Sequence, residues 1–168
     1  KRLEAVAKEA EIELEIHWHS YQLDPEAPQS QSISNTERLA QKYGRTLAEV
    51  EEMQRNIADM AKAEGIEFNW QHANSGNTFN AHRLIHLAQS KGLGNEAQEA
   101  LFYSYMTQGL KIGERETLED VAARIGLNPV EVDDLLDGNE FADFVEFDQE
   151  VAREQLKVTG VPFFVFRS

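Results

Sequence analysis

Cysteine is missing altogether from the 168 residues, which excludes disulfides and thiol chemistry within them. Long apolar runs are missing as well. None approaches the roughly 18–20 residues that a membrane helix requires, and no basic segment followed by an apolar one stands at the front. Positive charge is scarce: 16 Lys and Arg face 30 Asp and Glu, a formal charge of -14. Such a surface repels phosphate backbones and anionic membranes, so the expectation is no nucleic-acid partner, no membrane and good solubility. Only four prolines occur, and each marks a boundary. What is present, 41% hydrophobic and 27% charged residues, is the composition of a globular protein. The length suits one domain with a substantial core, or a small domain carrying a large insertion.

Leu3, Val6, Ala7 and Ala10 fall at helical spacing, and EIELEIHWH, Glu11 to His19, then alternates as a strand with Ile12, Leu14, Ile16 and Trp18 on one face. Ser20 to Asn35, with Pro25 and Pro28, reads as a connection, and helices follow it. Thr46-Leu47-Ala48-Glu49 is a capping box opening a helix that runs to about Glu64 and ends at Gly65. Further helices are expected over Phe79–Lys91 and Glu96–Gln108, then from a Thr117 cap to Gly126, from Asn128-Pro129 to Gly138, and over Asn139–Lys157. The apolar run Phe163–Phe166 closes the chain as a strand behind Pro162, which cannot donate to a sheet ladder and so suits a strand's first position.

Two strands at opposite ends of a chain do not make a stable sheet by themselves. KRLEAVAKEAE has helical periodicity from its first residue and no start signal, and the last strand stops at Arg167-Ser168. The expectation is an α/β domain truncated at both ends. Residues 1–30 and 139–168 form its two parts, and residues 31–138 form an all-helical insertion.

Several patterns compete for function. TLEDVAARIGLNPVEVDDLL, Thr117 to Leu136, has helix-turn-helix spacing, yet its second helix offers Glu131, Asp133 and Asp134 where a DNA reader needs Arg, Lys, Asn or Gln. His17 with His19, and His82 with His86, have spacings that zinc could use. HRLIH lacks the glutamate a zincin needs, however, and no cysteine ligand exists, so no metal is expected. LFYSYM, Leu101 to Met106, is core packing or the wall of an apolar groove. In NTFNAHRL, Asn77 to Leu84, Asn77 or Thr78 caps a helix, or the capped N-terminus with His82 and Arg83 receives an anion, a thiolate or a carboxylate. In TGVPFFVF, Thr159 to Phe166, Pro162 ends a stiff turn or forms a cis bond that presents backbone to a ligand; only about 5–6% of X-Pro bonds are cis in folded proteins.

Taken together and in this order, KRLE, HWHSYQLDP, NTFNAHRL and TGVPFFVF resemble the FrnE-like branch of the DsbA family, from Lys1 to Phe166. The resemblance implies a thioredoxin-like fold with a helical insertion, a cis Val161-Pro162 bond, and a CPxC dithiol facing it from upstream of Lys1. It implies a thiol-disulfide oxidoreductase of cytoplasmic type, acting on thiol or disulfide proteins. Pro162 and Val161 would contact the substrate backbone, Thr159 and Gly160 would shape the loop, and His82, Arg83 and Asn77 would act near the dithiol. No cofactor is implied. The main alternative within the superfamily is the glutathione-dependent 2-hydroxychromene-2-carboxylate isomerases, with glutathione as the bound thiol; a cysteine-less binding module of thioredoxin type is a third reading.

Overall fold

The computed structural model describes residues 2–29, 33–74 and 76–166. Lys1 of the KRLE motif and the expected strand end at Arg167-Ser168 lie outside the described residues. The described chain is helical: α1 (Arg2–Glu9), α2 (Asn35–Tyr43), α3 (Leu47–Ala63), α4 (Phe79–Ser90), α5 (Gly94–Phe102), α6 (Arg115–Ile125), α7 (Pro129–Asp137) and α8 (Ala142–Glu150).

Local chemistry starts and stops several of these helices. Ser34 and Thr46 each head a reciprocal capping box, with Glu37 and Glu49 returning the bond, and Gly44 ends α2 in the left-handed region at φ 61°. Asn128 accepts from the Val130 amide and Pro129 follows at the first helical position, so α7 begins where these two residues dictate. Asn128→Ala should destabilise the protein by about 1 kcal/mol, measured by urea denaturation.

Thr117 does not cap α6. The helix already begins at Arg115, and its N-cap Glu114 makes no side-chain capping bond. Two expected helices are also shorter than their sequence pattern: α5 passes into a π-helical turn over Tyr103–Thr107, and α8 into another over Val151–Gln155. The wider turn at Ser104 fits a polar contact. Ser104 is fully buried, its hydroxyl accepts from Arg124 Nη2 at 2.8 Å and its carbonyl accepts from the Leu110 amide at 2.8 Å.

The core lies among α4 to α7. Leu84, Ile85, Leu87 and Ala88 of α4 pack with Ala97 and Leu101 of α5, Leu118, Val121 and Ala122 of α6, and Val132 and Leu135 of α7. Burying each large side chain contributes roughly 1.5–3 kcal/mol, which makes this four-helix cluster the main apolar stabiliser. Helices α6 and α7 are therefore a packed pair. Asp133, Asp134 and Asp137 stay exposed, and Arg115 bridges Glu119, Asp133 and Asp137 at 2.6, 2.9 and 2.5 Å.

The α/β expectation differs from what is seen, because no β-strand forms among the described residues. Burial still alternates along part of the first expected strand: Leu14, Ile16 and Trp18 are half-buried, and Glu13, Glu15 and His17 are exposed, but Ile12, expected on the inward face, is 62% exposed because nothing described packs over it so close to the end of α1. No ladder partner stands beside it among the described residues. Side chains take that place, since the backbone amides of Trp18, Ser20 and Gln22 donate to Gln89 Oε1 (2.9 Å), Asp148 Oδ2 (2.7 Å) and Gln149 Oε1 (2.9 Å). Gln89 also donates back to the Trp18 carbonyl at 3.0 Å, as a neighbouring strand would. Three successive amides on one edge are thus satisfied by α4 and α8. At the other end Phe163–Phe166 is exposed throughout, with no alternation and no ladder among the described residues.

Candidate functional site

Between α4, α8 and the segment after α1, four polar side chains meet. Asp148 on α8 is 8% exposed and occupies the same helix face as the buried Val145. Its Oδ1 accepts from His19 Nδ1 at 2.7 Å, its Oδ2 accepts from the Ser20 amide at 2.7 Å, and His86 Nε2 lies 3.3 Å from Oδ2. Ser20 Oγ completes the group, 3.0 Å from His86 Nε2. Burial alone would raise the Asp148 carboxyl, but the bonds from His86, His19 and the Ser20 amide outweigh it and hold the group below its ordinary value. The carboxylate is ionised and well satisfied.

Serine, histidine and aspartate in contact invite comparison with a hydrolase triad, and the geometry rejects it. A triad uses the two ring nitrogens for different partners, whereas Ser20 Oγ and Asp148 Oδ2 both meet His86 Nε2, and Ser20 is only 3% exposed. Phe141 and Phe144 flank the His86 ring at centroid distances of 6.5 and 5.7 Å. His86 is a packed structural histidine.

One turn earlier, His82 is also largely buried. Its protonation is pushed down to about 4 by that burial, with His86 adding to the shift and Asp148 opposing it, so the ring is neutral at physiological pH. Arg83, beside it in sequence, points elsewhere. At 4% exposure it donates to the carbonyls of Leu135, Gly138 (2.9 Å) and Glu140 (2.8 Å) and to Asn80 Oδ1 (2.9 Å), closing the C-terminal end of α7. All three nitrogens of the guanidinium are committed there, which corrects the expectation that Arg83 serves a ligand at the start of α4.

Asn77 is committed as well. Its Nδ2 donates to Pro25 and Ala27 carbonyls at 2.9 and 3.1 Å, and its Oδ1 accepts from the Phe79 amide at 2.8 Å. It ties the proline-containing connection to α4. The adjoining cavity of about 340 Å³ is lined by Ala27, Gln29, Asn77, Phe79, Asn80 and Gly113.

The Val161-Pro162 bond is cis. Thr159, Gly160, Val161 and Pro162 are all exposed, and no backbone amide or carbonyl from Thr159 to Phe166 is hydrogen-bonded among the described residues. Just before them Val158 is buried, its carbonyl accepting from Tyr21 Oη at 3.4 Å. That contact joins the closing segment to the residues after His19. No hydrogen bond, ion pair or ring contact among the described residues joins Thr159–Pro162 to Asn77, His82 or Arg83.

The histidines noted for zinc spacing part company. His17 pairs with Glu15 at 2.9 Å and His19 with Asp148, and among the described residues no group of three or more His, Cys, Asp or Glu is placed to hold a metal ion. Asp148 has no place in any sequence motif considered above. Its signal was a carboxylate on the apolar face of α8, between Val145 and Ala152, where a charge needs partners.

The chain belongs to the DSBA-like thioredoxin domain family, whose sequence profile matches residues 1–168. Among solved structures it is similar to a probable DsbA oxidoreductase from Streptomyces coelicolor, with 30% identity and a TM-score of 0.82 over 86% of this chain. The match covers 62% of that protein's chain. No curated protein sequence matches it.

Proposed function

We propose that these residues are part of a thiol-disulfide oxidoreductase of FrnE type, with a CPxC dithiol upstream of Lys1 and residues 31–138 as the helical insertion of its thioredoxin fold. Family membership supports the chemistry. The observation that carries the reading is the exposed backbone from Thr159 to Pro162, on which no amide or carbonyl is hydrogen-bonded among the described residues. An extended polypeptide can add to such a stretch as a strand, with Val161 offering backbone groups and Pro162 offering no N–H to compete. In the mechanism, the first cysteine of the dithiol attacks as a thiolate and the second resolves the mixed disulfide.

The test is the intact mass of the reduced full-length protein before and after iodoacetamide. A gain of two alkyl groups is the expected result. No gain would remove the oxidoreductase reading and direct attention to glutathione binding, assayed by calorimetry with glutathione itself.

A further inference from the structure

His19 joins an exposed ring to a buried carboxylate. Its side chain is 74% exposed, yet Nδ1 sits 2.7 Å from a carboxylate whose own side chain is 7% exposed. A carboxylate can only accept, so the shared proton belongs to Nδ1 of the ring. The lone pair of the neutral imidazole is therefore on Nε2, which has no hydrogen-bond partner among the described residues. Rotation is checked from two sides, because Asp148 also receives the amide of Ser20, the next residue along the chain, at 2.7 Å. Ser20 Oγ in turn meets His86, and the Tyr21 hydroxyl donates to Val158, one residue before the Thr159–Phe166 stretch. The outcome is a basic nitrogen of fixed tautomer and fixed direction, facing solvent on the segment that braces the closing stretch.

We propose that His19 is a proton-transfer residue for thiol substrates, with Asp148 as its positioning residue; this rests on the oxidoreductase reading above. A thiol S–H bond breaks as its proton passes to His19 Nε2, leaving a thiolate and an imidazolium whose charge Asp148 balances. The thiolate forms an S–S bond to one sulfur of a disulfide. The other sulfur leaves with the bonding electron pair and takes the proton back from Nε2. The attacking sulfur is oxidised, the leaving sulfur is reduced, and His19 ends as it began. The group facing this ring is Asp148 from α8; His86 from α4 meets the same carboxylate, and Arg153 lies over the ring of Tyr21, two residues along the chain from His19.

The experiment uses the oxidised full-length protein and reduced glutathione as the thiol probe, with exchange rates followed against pH for the wild type, His19→Gln and Asp148→Asn. For His19→Gln, whose side chain is at the surface, the rate at neutral pH should fall by about tenfold or more. The loss should fade near about pH 9, where a free thiol ionises unaided. Nitrogen-15 NMR checks the premise: the wild-type ring should be the Nδ1–H tautomer, and Asp148→Asn should shift it toward Nε2–H. A wild-type Nε2–H tautomer, or superimposable wild-type and His19→Gln profiles, would overturn the proposal while leaving the oxidoreductase reading intact. A wild type that fails to exchange at any pH overturns both.

Discussion

Arg83→Leu should destabilise the protein by about 3–5 kcal/mol, read as a lower urea midpoint with an unchanged slope. The size follows from what is left behind. Three carbonyls at the end of α7, those of Leu135, Gly138 and Glu140, lose a charged donor in a site where Arg83 is 4% exposed. Water does not readily replace it, and each hydrogen bond to a charged group is worth about 1.5–3 kcal/mol when its partner is stranded. The positive charge itself is costly to bury, and that cost, which lowers the Arg83 pKa with Glu140 opposing, is recovered when the charge is removed. Arg83→Lys should rescue little of the loss. One ammonium cannot span three backbone carbonyls and Asn80 Oδ1 as the planar guanidinium does from its three nitrogens. A loss below about 1 kcal/mol for Arg83→Leu would mean that α7 ends without help from α4.

The second large effect is a pH dependence centred on His82. In the unfolded chain this ring takes its proton near 6.5, and in the fold near 4. Between those values the unfolded chain binds a proton that the folded one refuses, so stability rises with pH across the window. The contribution is complete above about pH 6.5 and is lost as pH falls toward about 4, at most about 3 kcal/mol from the size of the shift. The part of the ring that reaches water reduces that figure. Asp148 acts lower on the scale, since a carboxyl held below its ordinary 3.8 stabilises above that value and fails only beneath it. The two are separable by comparing the wild type with His82→Gln in urea at about pH 7 and about pH 4.5. The wild type should lose more stability than the variant between these points; equal losses would show that His82 titrates as it does in water.

The features legible in the sequence were those decided within one turn of chain. The Thr46 capping box and the Asn128-Pro129 start of α7 need only neighbouring residues. Thr117 shows the limit of such signals, because a good capping residue was overruled by a helix that already began two residues earlier. The strands show a different limit. Alternation from Glu11 to His19 told that Leu14, Ile16 and Trp18 turn inward but failed at Ile12; a strand's hydrogen bonds belong to its neighbour, and among the described residues that neighbour is a row of Gln89, Asp148 and Gln149 side chains.

The candidate site depended almost wholly on tertiary structure. HWHS stood out in the sequence as a pair of metal-spaced histidines, yet its chemistry comes from Asp148, 129 residues from His19 along the chain. Adjacent His82 and Arg83 looked like one electrostatic unit and turn out to serve different surroundings, because side chains one residue apart on a helix point about 100° away from each other. Sequence by itself determined the family, the acidic surface and the helix ends, all set by composition or by contacts a few residues long. Which carboxylate would meet which imidazole, and which arginine would close which helix, was decided only when packing of the α4–α7 core brought distant polar groups out of water and left them one another as partners.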